Sequence, residues 1–230
     1  MFFDPLYFII LAPALLLSAF ATLSVRTRFA RYRRVALRSG LSGAEAARRL
    51  LDRAGLSAVR IETTAGLLGD HYDPTTRTLR LSRDVFSGRS VSAVGVAAHE
   101  AGHALQHADR YLPLQLRTAM VPIAALGSNL AWVLILAGML LSLLNLAKIG
   151  VVLFAGVVAF SLVTLPVELD ASRRARMLLS RYAIVSGEEA SGVGRVLNAA
   201  AMTYVAGALT AVLTLLYYLI RLGFIGGRDE

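Results

Sequence analysis

Four apolar runs constrain this chain more than any other feature. Residues 6–25, 120–146, 149–167 and 199–220 each come close to or exceed the length a helix needs, at about 1.5 Å per residue, to cross a hydrocarbon layer about 30 Å thick. Inside such a layer the backbone must satisfy its own hydrogen bonds, so each run is expected to be a helix. A 56% hydrophobic composition with mean hydropathy +0.61 excludes an ordinary soluble domain. The second and third runs are separated only by Ala147-Lys148 and read as a transmembrane hairpin. No basic stretch precedes the first run and no small-residue cleavage site follows it, so it is expected to be a retained anchor.

Charge sets the orientation. The formal charge is +9 and there is no cysteine, which excludes disulfides and thiolate metal sites. Arg26, Arg28, Arg31, Arg33, Arg34 and Arg38 follow the first run, and Arg173, Arg174, Arg176, Arg181 and Arg195 follow the third. Residues 26–118 and 168–198 together hold 21 of the 24 basic residues. The positive-inside rule then puts both segments in the cytoplasm and both chain ends outside, and the multi-pass chain in the cell membrane. The basic residues are not interleaved with aromatics, so a nucleic-acid platform is not expected and anionic lipid headgroups on the cytoplasmic face are the simpler partner.

Between residues 41 and 117 the chain becomes mixed and periodic. Ser42 and Glu45 form a capping-box pattern for a helix through Ala46, Leu50 and Leu51, with Gly55 placed to end it. Residues 58–63 and 78–82 alternate as strands around the turn signal Asp73-Pro74, which predicts a hairpin-like unit and a small sheet. A helix over about residues 90–108 follows.

That helix carries His99-Glu100-Ala101-Gly102-His103. Two histidines four positions apart project from one helical face and can share a tetrahedral metal, for which zinc is the expected ion. Glu100 is placed as general base toward a water that a catalytic zinc acidifies to a pKa of about 7. Three of the four histidines fall on this helix. His107 continues the spacing, but eight residues of rise carry it about 12 Å from His99, so it cannot share that metal on an unbroken helix. Glu168 is the expected third ligand: it stands where the third run reaches the inner face, and a carboxylate there is costly unless paired or metal-bound. Asp170 is the reserve, as a ligand or as a carboxylate holding an imidazole.

The runs Asp70-His71-Tyr72-Asp73-Pro74, Gly95 through His107 and Leu165 through Arg174, with Val196-Leu197-Asn198-Ala199-Ala200-Ala201, resemble the bacterial YugP-like family of membrane zinc metallopeptidases over nearly the whole chain. More distantly, the order strand, His-Glu-x-x-His helix, membrane hairpin, glutamate is similar to the HtpX-type membrane gluzincins. Their glutamate ligand opens a Glu-x-x-Ala-Asp pattern, whereas Glu168-Leu169-Asp170-Ala171-Ser172 has serine in the last place. In such zincins an edge strand pairs with an extended substrate, and residues 69–73 stand in the matching position. The resemblance thus makes His71 or Tyr72 a candidate oxyanion donor, with Asn198 another candidate if it is not a helix N-cap.

The expected fold is therefore an α-helical membrane protein with about four transmembrane helices and a small cytoplasmic α+β zincin-like metalloprotease domain. Its layout is an anchor (1–25), the zincin-like domain (26–118), the hairpin (119–167), a cytoplasmic loop with the third ligand (168–198), and the fourth helix and tail (199–230). The expected activity is zinc-dependent hydrolysis of peptide bonds in membrane-associated or membrane-proximal proteins. Two alternatives compete with it. An intramembrane site-two-type protease would need residues 91–108 to be a span, against the charge rule; a non-catalytic zinc-binding membrane scaffold would gain if zinc bound and replacing Glu100 by glutamine changed no activity.

Overall fold

The computed structural model describes residues 4–65 and 69–225. It contains seven helices and three strands among the described residues: α1 (Pro5–Arg33), α2 (Gly43–Arg53), β1 (Arg60–Thr64), β2 (His71–Asp73), β3 (Thr78–Ser82), α3 (Arg83–Phe86), α4 (Val91–Ala108), α5 (Leu112–Leu140), α6 (Leu144–Arg181) and α7 (Gly187–Arg221). The chain forms two compact units. One comprises Ala21–Gln115 and Pro166–Met202, the other Met1–Phe20, Leu116–Leu165 and Thr203–Glu230.

The first unit holds the sheet and the histidine helix. Both hydrogen bonds of the capping box start α2: Ser42 Oγ accepts from Glu45 N at 3.2 Å, and Glu45 Oε2 accepts from Ser42 N at 2.7 Å. Gly55, at φ +75°, follows its last turn in the left-handed conformation that costs glycine least. Ala46, Ala47, Leu50 and Leu51 form the buried stripe, packed with Leu79, Leu81, Val85, Val94, Ala97 and Ala101 in one apolar core.

The strands pair differently from a simple hairpin of the two alternating runs. The order is β1-β3-β2: β3 is central, β1 lies parallel to it, and the short β2 lies antiparallel. A parallel pair needs a crossover of about a dozen residues, and the segment between β1 and β3 supplies it while contributing β2. Asp73 fixes the β2–β3 turn, accepting from Thr75 N at 2.9 Å, from Thr76 Oγ1 at 2.7 Å and from Arg80 Nη1 at 2.7 Å. Asp70 accepts from Ser82 N at 2.7 Å and so ties the start of β2 to the end of β3.

The stretch expected as a polar loop, residues 168–198, is helical except for residues 182–186. Its charges conceal a helical period: Ala171, Ala175, Leu178 and Leu179 on α6, and Val193, Val196 and Leu197 on α7, are buried, and all but Ala171 join the core that holds α2 and β3. Amphipathic extensions of the two helices thus complete this unit.

In the second unit the break between the middle apolar helices falls at residues 141–143, so Ala147 and Lys148 lie inside α6. Ser142 adopts φ +55°, and Leu143 N donates back to Gly138 O at 2.8 Å, which closes the end of α5. A Cβ on Gly138 would stand 2.4 Å from Ala147 N, so only glycine permits this crossing. Leu11, Ile135, Val151, Phe154, Tyr217 and Tyr218 form the interior, and Tyr217 donates to Asp4 at 2.8 Å. Ile9, Leu16, Ile123 and Leu126 are at least 70% exposed. That apolar exterior, on four helices each long and apolar enough to cross a membrane, is the surface a lipid environment requires.

Candidate metal centre

Helix α4 starts at Ser90, whose hydroxyl accepts from Ala93 N at 3.3 Å. Its small residues let it lie deep in the first unit, with Val91, Ala97, Ala98, Ala101 and Ala104 all buried. His99 and His103 leave the same face, with ring centroids 4.8 Å apart and planes at 83°. Glu168 arrives from α6. A Cβ on Gly102 would lie 2.6 Å from the Ala171 carbonyl oxygen, so this glycine lets the backbones of α4 and α6 touch. Glu168, 2% exposed, places Oε2 3.2 Å from His99 Nε2 and 3.6 Å from His103 Nε2. One ligand atom from each of the three residues lies within 4.8 Å of the others. Two imidazole nitrogens and a carboxylate oxygen are a donor set that suits zinc and leaves room for a fourth position.

The far sides of both rings are also held. Ser172 Oγ stands 3.1 Å from His99 Nδ1, so a hydroxyl meets the ring nitrogen that faces away from Glu168. Gln106 Oε1 lies 3.0 Å from His103 Nδ1. Gln106 Nε2 donates to Val167 O at 2.8 Å and to Asp170 Oδ2 at 3.0 Å. Asp170, 6% exposed, bonds Arg173 and accepts from Arg174 Nε at 2.6 Å. Arg174 reaches on to Asp109, at the end of α4. Asp170 therefore bonds the amide that faces His103, and among the described residues it is hydrogen-bonded to no imidazole. Burial pushes the His103 imidazolium toward deprotonation, but the Glu168 and Glu100 carboxylates outweigh it and raise its pKa above the ordinary 6.5.

Glu100 is 7% exposed, and no side chain among the described residues hydrogen-bonds its carboxylate. His107 sits one turn beyond His103 and faces another partner: its Nδ1 is 2.9 Å from the hydroxyl of Tyr72 on β2. Strand side chains alternate, so Tyr72 looks toward α4 and His71 toward the opposite face. His71 is exposed, its Nδ1 2.8 Å from Gly69 O. Asn198 is exposed inside α7, which begins at Gly187; the helix has already started, so Asn198 is not an N-cap. Neither residue is hydrogen-bonded to His99, His103 or Glu168 among the described residues.

Sequence reasoning did not find Gln106 or Ser172. The available signals were an amide three residues after His103 in an otherwise apolar helix, and a hydroxyl four residues after Glu168; both spacings share a helical face.

The family described as "Putative neutral zinc metallopeptidase" matches residues 7–223. The chain is 46% identical over 225 residues to "Putative membrane protease YugP" of Bacillus subtilis (strain 168), covering 98% of this chain and 99% of that relative. No solved structure matches.

Proposed function

The chain belongs to the YugP-like family of neutral zinc metallopeptidases, and from that premise we propose that it is a membrane-bound zinc endopeptidase. In this reading His99, His103 and Glu168 hold the metal and Glu100 is the general base. The observation that supports it best is the convergence of those three ligand atoms beside a buried carboxylate that no described side chain hydrogen-bonds.

Bound zinc supplies a Lewis acid that acidifies water and polarises a peptide carbonyl. Glu100 takes a proton from the attacking water, whose oxygen bonds to the carbonyl carbon. The carbon–nitrogen bond then breaks as Glu100 passes the proton to the leaving amine. Edge strand β2 offers its free side to an extended peptide. Tyr72, on the α4 side and held by His107, is the oxyanion donor we assign from this strand, in preference to the outward-facing His71 and to Asn198.

The concentration of basic residues next to the apolar helices supports a site on the cytoplasmic face. Arg26, Arg28, Arg31, Arg33 and Arg34 then meet anionic headgroups, and the substrates are membrane-associated or membrane-proximal proteins. An intramembrane site-two-type arrangement requires α4 to be a span. The four apolar helices do not include α4, which packs against α2 and β3 in the core.

Metal analysis and peptide hydrolysis on the purified protein and its Glu100→Gln variant test the proposal. One zinc per chain is expected in both, with hydrolysis in the variant lower by about 10²- to 10⁴-fold. Undiminished hydrolysis in the variant would show that Glu100 is not the base. Zinc binding with no hydrolysis of any offered protein by the wild type would favour the non-catalytic scaffold.

A further inference from the structure

Gln106 is fully buried on α4, at 0% exposure, and its hydrogen bonds can be counted out. The amide has two hydrogens. Nε2 directs them at the Val167 carbonyl and the Asp170 carboxylate, 2.8 and 3.0 Å away. The carbonyl can only accept, and Asp170 is kept an ionised acceptor by Arg173 and Arg174. Turning the amide round would set its oxygen against two acceptors, so its orientation is fixed. Oε1 must then face His103 Nδ1 at 3.0 Å, and a carbonyl oxygen cannot donate. The other ring nitrogen, Nε2, stands 3.6 Å from Glu168 Oε2, beyond hydrogen-bond range, so the closer Gln106 oxygen decides: the proton of a neutral His103 resides on Nδ1 and the lone pair on Nε2.

His99 differs in this respect. Its Nδ1 meets a serine hydroxyl, which donates or accepts with equal ease. Its Nε2 lies 3.2 Å from the Glu168 carboxylate, so without metal that contact favours Nε2–H, and of the two histidines only His103 has its Nδ1 against an obligate acceptor.

We propose that the buried Gln106–Asp170 pair is a positioning relay that locks His103 in the Nδ1–H tautomer with Nε2 free for a divalent cation; this rests on the zinc reading of the site given above. The relay also explains why Asp170 is buried beside the centre without being a ligand. Its charge fixes the amide, the amide fixes the ring, and both acceptors lie on α6, the helix that brings Glu168. A ring held this way does not have to give up the wrong tautomer before it binds metal, and partners of this kind are worth about 10- to 100-fold in metal affinity.

The test uses the full chain, metal-free and zinc-loaded, with Gln106→Leu and the exchange variant Gln106→Glu/Asp170→Asn. In the exchange variant a carboxylate at position 106 still accepts from His103 and from the amide at position 170, at the cost of the bond that Gln106 gives the Val167 carbonyl. Two quantities are read: the imidazole ¹⁵N spectrum of His103 in the metal-free protein, at a pH where the ring is neutral, and zinc affinity by chelator competition. The wild type is expected to show the Nδ1–H tautomer alone. Gln106→Leu should mix both tautomers and bind zinc about 10- to 100-fold more weakly, and the exchange variant should restore Nδ1–H. A wild-type His103 protonated on Nε2, or a Gln106→Leu spectrum identical to the wild type, overturns the relay whatever the zinc affinity. Should Gln106→Leu fail to fold, the wild-type spectrum still decides. A wild type with the Nδ1–H tautomer that binds no zinc would instead refute the zinc reading and leave the relay standing.

Discussion

Replacing Gly102 with alanine tests the geometry of the centre without touching any polar group in it. The added Cβ would lie 2.6 Å from the Ala171 carbonyl oxygen and 3.2 Å from both the Ala171 carbonyl carbon and Cα. Cβ contacts under 3.0 Å essentially never occur, so the backbones must separate by at least 3.0 − 2.6 = 0.4 Å. The obstacle is helix backbone and cannot rotate away. Overpacking of this kind costs about 1–3 kcal/mol. Ala171 stands between Glu168 and Ser172, which reach His99 across 3.2 and 3.1 Å. Shifting α6 by that minimum lengthens both to about 3.5 Å or more, the limit of a hydrogen bond. Zinc affinity should fall by about 10- to 100-fold, read by chelator competition alongside thermal unfolding. Gly95→Ala on the same helix is the control: its Cβ would meet Val193 Cγ1 at an ordinary 3.5 Å. Removing a mid-helix glycine there should be neutral or stabilise by about 0.5–1 kcal/mol. Wild-type zinc affinity in Gly102→Ala, or equal damage from Gly95→Ala, would refute the close-approach account.

Glu168→Ala should weaken zinc binding by more than about 100-fold and His107→Ala by less than about tenfold, since His107 bonds Tyr72 and no proposed ligand; chelator titrations on both variants compare them. Tyr72→Phe should leave zinc affinity unchanged and lower kcat by about 10²- to 10³-fold, as loss of an oxyanion donor does, which steady-state kinetics would read. The raised pKa of His103 gives metal-free protein a stabilising contribution that is complete below the unfolded value near 6.5 and is lost as pH rises through the higher folded value. Metal-free protein should therefore melt at a higher temperature in mild acid than in mild alkali, and zinc, which must displace that proton, should bind more weakly as pH falls; calorimetry with and without chelator measures both.

Local patterns were legible where one short segment decides the outcome. The spacing of His99 and His103 needs only a helix, and the Ser42–Glu45 cap is closed within four residues. Glu168 was legible because a carboxylate ending an apolar run demands a partner. What was missed depends on packing between distant segments. The polar stretch after Glu168 is helical because its sparse apolar residues find the α2 and β3 core, and its charges alone suggest a loop. The central place of β3 follows from Leu79 and Leu81 being buried, which alternation along one strand does not reveal. Ser142, where the membrane hairpin turns, carries no glycine or proline signal; Lys148 carried the only charge in the run and drew the boundary to itself.

The close approach of Gly102 and Ala171 also imposes an order in time. A ribosome that has just added His103 must add 65 more residues before Glu168 exists, roughly 3–13 s at 5–20 residues per second. In that interval α4 has both histidines and Glu100 but lacks α6, with its carboxylate ligand, its serine and its aspartate. The missing parts come only after both helices of the apolar hairpin. On the zinc reading proposed above, a nascent chain is accordingly a weak metal binder and an idle enzyme until its hairpin has been synthesised, and a chain whose hairpin is misplaced stays that way.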